Sequence, residues 1–114
     1  EKIRLVFEAA SDHYDGIMGF SQGAVILHFL LRLRETGIIK WKILDGVKFT
    51  INLSGNHLKF SRLKTIKPIK IPSLHIISPE DFLFSKSILH LAQYKNPLVI
   101  SHSYGHKFPK LGIS

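Results

Sequence analysis

The sequence predicts an α/β domain: a mostly parallel sheet with helices on both faces. Three observations carry this. Segments at 15–20, 48–54, 71–78 and 97–103 are apolar almost throughout, as strands buried on both faces are. Segments at 22–35 and 85–94 follow helical patterning. The two kinds alternate as strand, helix, strand, long loop, strand, helix, strand. At 114 residues, 45% hydrophobic and 21% charged, the chain suits one small domain with its own core.

Residues 1–10, EKIRLVFEAA, are compatible with helix or strand, and SDHY at 11–14 reads as a loop. DGIMGF at 15–20 is the first buried strand. From Gln22 to about Glu35 the apolar pattern is helical. Arg32, Arg34 and Glu35 make its end polar, and Gly37 is a natural stop. Residues 38–48 look irregular. KFTINLS at 48–54 is β-branched and apolar, a strand ended by Gly55 and Asn56. The loop at 56–71 carries Lys59, Arg62, Lys64, Lys67 and Lys70. IPSLHIIS is the third strand, with Pro72 at its start, where a missing N–H is tolerated. SPED at 78–81 is turn chemistry. Ser85 is the expected cap of a helix running to about Tyr94, which Asn96 and Pro97 end. PLVISHS at 97–103 is the last strand, and 104–114 form a tail.

Composition excludes several classes. The chain has no cysteine, so no disulfide framework, thiolate zinc site or cysteine nucleophile exists. This fits a reducing compartment, and a cytoplasmic or also nuclear location is expected. No apolar run reaches the ~18–20 residues of a membrane span, and no membrane partner is expected. Net charge is +8. A basic balance admits nucleic acid as a partner, but no RNA-recognition, zinc-finger or basic-zipper pattern is present, and a charge run usually faces water. No H-E-x-x-H or other ligand spacing argues for a metal.

The chemistry-bearing motif is GFSQG at 19–23, a G-x-S-x-G pattern between a strand and a long helix. A chance match in a chain this long has odds of roughly 4%, so the strand-and-helix context matters. A serine nucleophile must stand on a sharp turn above the sheet edge. Gly19 and Gly23, two before and two after, keep strand and helix from colliding. The N–H of Gln22, at the helix start, is the candidate oxyanion donor. A packing turn remains the bland reading of the same residues. An activated serine needs a base, and the base an orienting carboxylate. Asp81 and His106 follow Ser21 in the hydrolase order of acid, then histidine, each just past a strand end. Glu80 is a competing acid, and Asp81 also suits a plain turn. His75 and His102 fall in strands, where packing or a hydrogen bond explains them; His28 and His90 fall on helices, and His13 and His57 in loops.

YDGIMGFSQGA, FTINLSG, IPSLHIISPEDFL and NPLVISHSYGHKFPKL resemble the family of serine hydrolases that includes the ovarian-tumour-suppressor-candidate-2-like esterases. The likeness runs from about Tyr14 to Leu111. It implies an α/β-hydrolase fold and, position by position, Ser21 as nucleophile, Asp81 as acid and His106 as base. It implies hydrolysis of small-molecule carboxylic esters or thioesters through an acyl-serine, with no cofactor. Where Ser78 and Pro79 stand, family members usually carry glycine or another small residue. Members also carry an N-terminal half with the opening strands and an H-G loop that supplies a second oxyanion donor. Residues 1–114 are therefore expected to be the C-terminal part of such a domain, lacking that half. Two other readings stay open: an inactive remnant of such a hydrolase, and a basic nucleic-acid-binding module. Oligomeric state is not legible.

Overall fold

The structure is a computed structural model and describes residues 15–35, 37, 46–56 and 67–109. The expectations for 1–14 and for most of 38–48 and 56–66 lie outside these residues. Four strands form one sheet: β1 (Gly16–Phe20), β2 (Phe49–Leu53), β3 (Ser73–Ile77) and β4 (Leu98–Ser101). Their order is β1-β2-β3-β4, and every pairing is parallel. The register places Gly19 opposite Asn52, Asn52 opposite His75, and His75 opposite Val99.

Two helices complete the described elements: α1 (Gln22–Glu35) between β1 and β2, and α2 (Phe84–Leu91) between β3 and β4. The bounds of α1 match the sequence pattern. Gly37, at φ 78°, donates its N–H to the Arg34 carbonyl at 3.0 Å and ends the helix as expected. Leu27 and Leu31 of α1 join Ile69 and Tyr94 in the buried cluster, with Ile17 and Ile71 packed against it. Arg32, one of the residues that make the end of α1 polar, does not face solvent. It is 2% exposed, and its guanidinium donates to the carbonyls of Lys67 and Gln93 and to Gln93 Oε1. Those bonds tie α1 to the two segments that meet at the parallel Ile69–Tyr94 bridge.

Side chains alternate across a sheet, so register decides which share a face. Ile17 packs on the α1 cluster, and His75, in matching register, lies 5.5 Å from the His90 ring of α2. Both described helices thus cover the same face. On the other face Met18, Phe49, Leu98 and Ile100 are exposed, and no described helix lies over them. Among the described residues, no helix is long and apolar enough to cross a membrane.

The second helix departs from expectation at both ends. Its N-cap is Leu83, with no side-chain cap bond, and Ser85 lies inside it. It stops at Leu91, because Tyr94 turns out of the helix to bridge Ile69.

Candidate active site

Parallel strands all end at the same sheet edge, so the segments leaving them share one rim. Ser21 follows β1, Ser54 follows β2, Ser78 to Asp81 follow β3, and His102 to His106 follow β4. This topology brings together residues that are distant in sequence.

Ser21 stands between β1 and α1 with φ at 55°, the left-handed region that a residue with a Cβ adopts at a cost. Its N–H donates to the Leu53 carbonyl at 2.8 Å, and its carbonyl accepts from the N–H groups of Ala24 and Val25. Gly19 permits the close approach. A Cβ there would lie 2.6 Å from the Gly23 carbonyl carbon and 2.7 Å from the Ala24 nitrogen. Gly23 is different. Among the described residues, a Cβ there would meet nothing within 4 Å, because Gly23 already lies in the first turn of α1. The crowding expected on both sides of Ser21 is one-sided among the described residues. Gln22 opens α1, where first-turn amides have no acceptor within the helix and sit at its positive end.

Asp81 is buried, and its two oxygens are divided. Oδ1 accepts the Leu83 N–H at 2.8 Å, an Asx-type turn that leads into α2. Oδ2 lies 2.8 Å from His106 Nδ1. Burial pushes this carboxyl up. The Leu83 N–H, His106 and the nearby Ser54 hydroxyl together outweigh burial and hold it below the usual carboxylate value. Ser54 acts without a hydrogen bond of ordinary geometry. Glu80, the competing acid, turns elsewhere and accepts from Ser78 Oγ at 3.0 Å.

His106 Nε2 lies 3.0 Å from Ser21 Oγ. An ionised carboxylate only accepts, so the proton of a neutral ring belongs on Nδ1, facing Asp81. Nε2 then carries a free lone pair toward the serine hydroxyl. Aromatic rings surround the imidazole: Phe82 at 5.1 Å and Phe20 at 5.2 Å, with Phe108 stacked on Phe20 at 4.7 Å. No periodicity or motif pointed to Phe20 and Phe108, which only the fold brings together. Ser54 and Ser78 were also missed as parts of the site. The S-x-E spacing of Ser78 and Glu80 was the one local signal for the latter.

Of the other histidines, His75 is buried in β3 with Nε2 2.9 Å from Ser73 Oγ, and His102 Nδ1 accepts the Tyr104 N–H. His28 and His90 pack near the Tyr94 ring. Among the described residues, no group of three or more His, Asp or Glu is placed to hold a metal ion.

The serine hydrolase (FSH1) family model matches residues 2–112. An esterase OVCA2 of Xenopus tropicalis is 32% identical over 103 residues, covering 84% of this chain and 42% of that protein. Esterase CG5412 of Drosophila melanogaster is 32% identical over 113 residues, covering 96% of this chain and 40% of that protein. Esterase C25G4.2 of Caenorhabditis elegans is 31% identical over 105 residues, covering 86% and 46%. The chain spans less than half the length of these relatives. No solved structure matches.

Proposed function

The chain belongs to the serine hydrolase (FSH1) family, and from that premise we propose that it cleaves carboxylic esters or thioesters through an acyl-serine at Ser21. The observation that carries this reading is the hydrogen-bonded series Asp81 Oδ2, His106 Nδ1, His106 Nε2, Ser21 Oγ at 2.8 and 3.0 Å. In this mechanism His106 Nε2 takes the Ser21 proton as Oγ bonds to the carbonyl carbon. Asp81 keeps the Nδ1 proton in place and stabilises the imidazolium that forms. The Gln22 N–H donates to the oxyanion. His106 then gives its proton to the leaving alcohol or thiol, and the acyl-serine remains. Water, deprotonated by the same nitrogen, releases the acid. The strained turn at Ser21 supports the nucleophile-elbow role, since strain of this kind clusters at functional positions. The esterase names of the relatives point to the same reaction class.

A fluorophosphonate probe and a p-nitrophenyl ester test it. The probe should modify Ser21, and Ser21→Ala should abolish both labelling and ester turnover. Labelling or turnover that survives Ser21→Ala would remove Ser21 from the mechanism. Labelling of Ser21 without turnover would favour the inactive remnant.

A further inference from the structure

We propose that Ser78 is a positioning residue whose hydroxyl clasps the turn carrying Asp81 to the loop carrying His106. The proposal rests on the hydrolase reading above. Ser78 is 1% exposed. Its Oγ accepts the Glu80 N–H at 3.2 Å and the Gly105 N–H at 3.1 Å, and it donates to Glu80 Oε2 at 3.0 Å. A hydroxyl has one proton and two lone pairs, so its capacity is fully used. The Gly105 bond joins residues 27 apart, one of them the immediate neighbour of His106.

The chain leaving β4 is held to β3 as far as His102, whose N–H donates to the Ile77 carbonyl at 2.9 Å. The N–H groups of Tyr104 and Lys107 then donate within the loop, to His102 Nδ1 and the Gly105 carbonyl. Among the described residues, the Ser78–Gly105 bond is thus the hydrogen bond between loop and turn other than the acid–base contact itself, beside the packing of the Phe82 ring on His106. Gly105 takes φ of 69°, which aims its amide without strain, and among the described residues a Cβ there would meet only the Glu80 carbonyl, at 3.8 Å. Glu80 completes the device. By accepting the hydroxyl's hydrogen bond it leaves both Ser78 lone pairs for the amides. Glycine or alanine at 78 has no atom for any of these bonds.

The test combines amide exchange at Gly105 with chemistry at Ser21, measured on wild type, Ser78→Ala, Ser78→Thr and Glu80→Ala. In Ser78→Ala the Gly105 amide should exchange at least about tenfold faster, while the β3–β4 ladder amides stay protected. Fluorophosphonate labelling and kcat on the p-nitrophenyl ester should fall ~10–100-fold with KM nearly unchanged, as a misplaced base requires. Ser78→Thr, which keeps the hydroxyl, should recover most of both, and Glu80→Ala should fall between. A folded Ser78→Ala with wild-type labelling and kcat overturns the proposal, as does a Thr variant no better than Ala. If Ser78→Ala does not fold, the solvent-facing Glu80→Ala decides: unchanged Gly105 exchange and labelling there overturn it. If wild type is not labelled at Ser21, the hydrolase reading fails and takes the positioning role with it. Wild-type labelling with unaffected variants removes the positioning role alone.

Discussion

Gly19 and Gly23 flank Ser21 symmetrically in the sequence and asymmetrically in space. The Gly19 position faces backbone, and backbone cannot rotate aside as a long side chain can. Gly19→Ala should therefore cost at least ~1–3 kcal/mol, the usual penalty for overpacking. Gly23→Ala should be neutral or stabilising by up to ~1 kcal/mol, since alanine is the better helix former. Thermal melts of the two variants check this. A Gly23→Ala melt as depressed as that of Gly19→Ala would show that the crowding is two-sided. The G-x-S-x-G spelling was legible, but it cannot say which glycine the turn requires. That depends on where the first turn of α1 begins relative to the end of β1.

At the scale of elements, the start of α2 shows why a bland and a functional reading can both hold. Asp81 suits a turn residue and a catalytic acid equally well in sequence. In the structure Oδ1 accepts the Leu83 N–H and Oδ2 faces His106, so one carboxylate has an oxygen for the turn and one for the proposed chemistry. Ser85 was the expected cap because serine favours that position. The turn at Asp81 brings the chain into helix earlier and leaves Ser85 inside. Strands were easier to read, because a parallel strand has little polar surface to blur its pattern. The dual role predicts a split between two substitutions. Asp81→Asn keeps an acceptor for the Leu83 N–H and should melt close to wild type. Its labelling and turnover should nevertheless fall by ~10³–10⁴, because an amide that donates to His106 fixes the wrong tautomer. Asp81→Ala should lose as much activity and a further ~1 kcal/mol of stability from the lost turn bond. Equal melts for the two variants would deny the structural half of the role. Full activity in Asp81→Asn would deny the chemical half.

For the molecule as a whole, the sequence yielded the residues whose places follow from strand order, and missed those placed by contact alone. Ser21, Asp81 and His106 could be named because each follows a strand end. That His75 is packed in its strand was also legible, but not that His90 and Tyr94 pack against it, since those rings come from separate segments. That burial has a consequence for stability. Burial first, and then the neighbouring His90, lower His75 from the ordinary 6.5 to about 3. Between those values the unfolded chain binds a proton that the folded chain refuses, so stability must fall as pH drops through that window. Asp81 acts in the same direction lower down. Its carboxyl is held below the usual value, so its contribution is present above that value and lost as pH falls through the lowered one. The net charge of +8 grows as carboxylates protonate, and self-repulsion adds to the loss. The urea midpoint of wild type should therefore decline from about pH 7 to about pH 4.5, and His75→Gln should start lower but decline less steeply. Added salt should restore the part due to self-repulsion and leave the His75 part in place, because salt screens exposed charge and not burial. A His75→Gln midpoint that falls as steeply as wild type would show that the buried ring is not what acid attacks first.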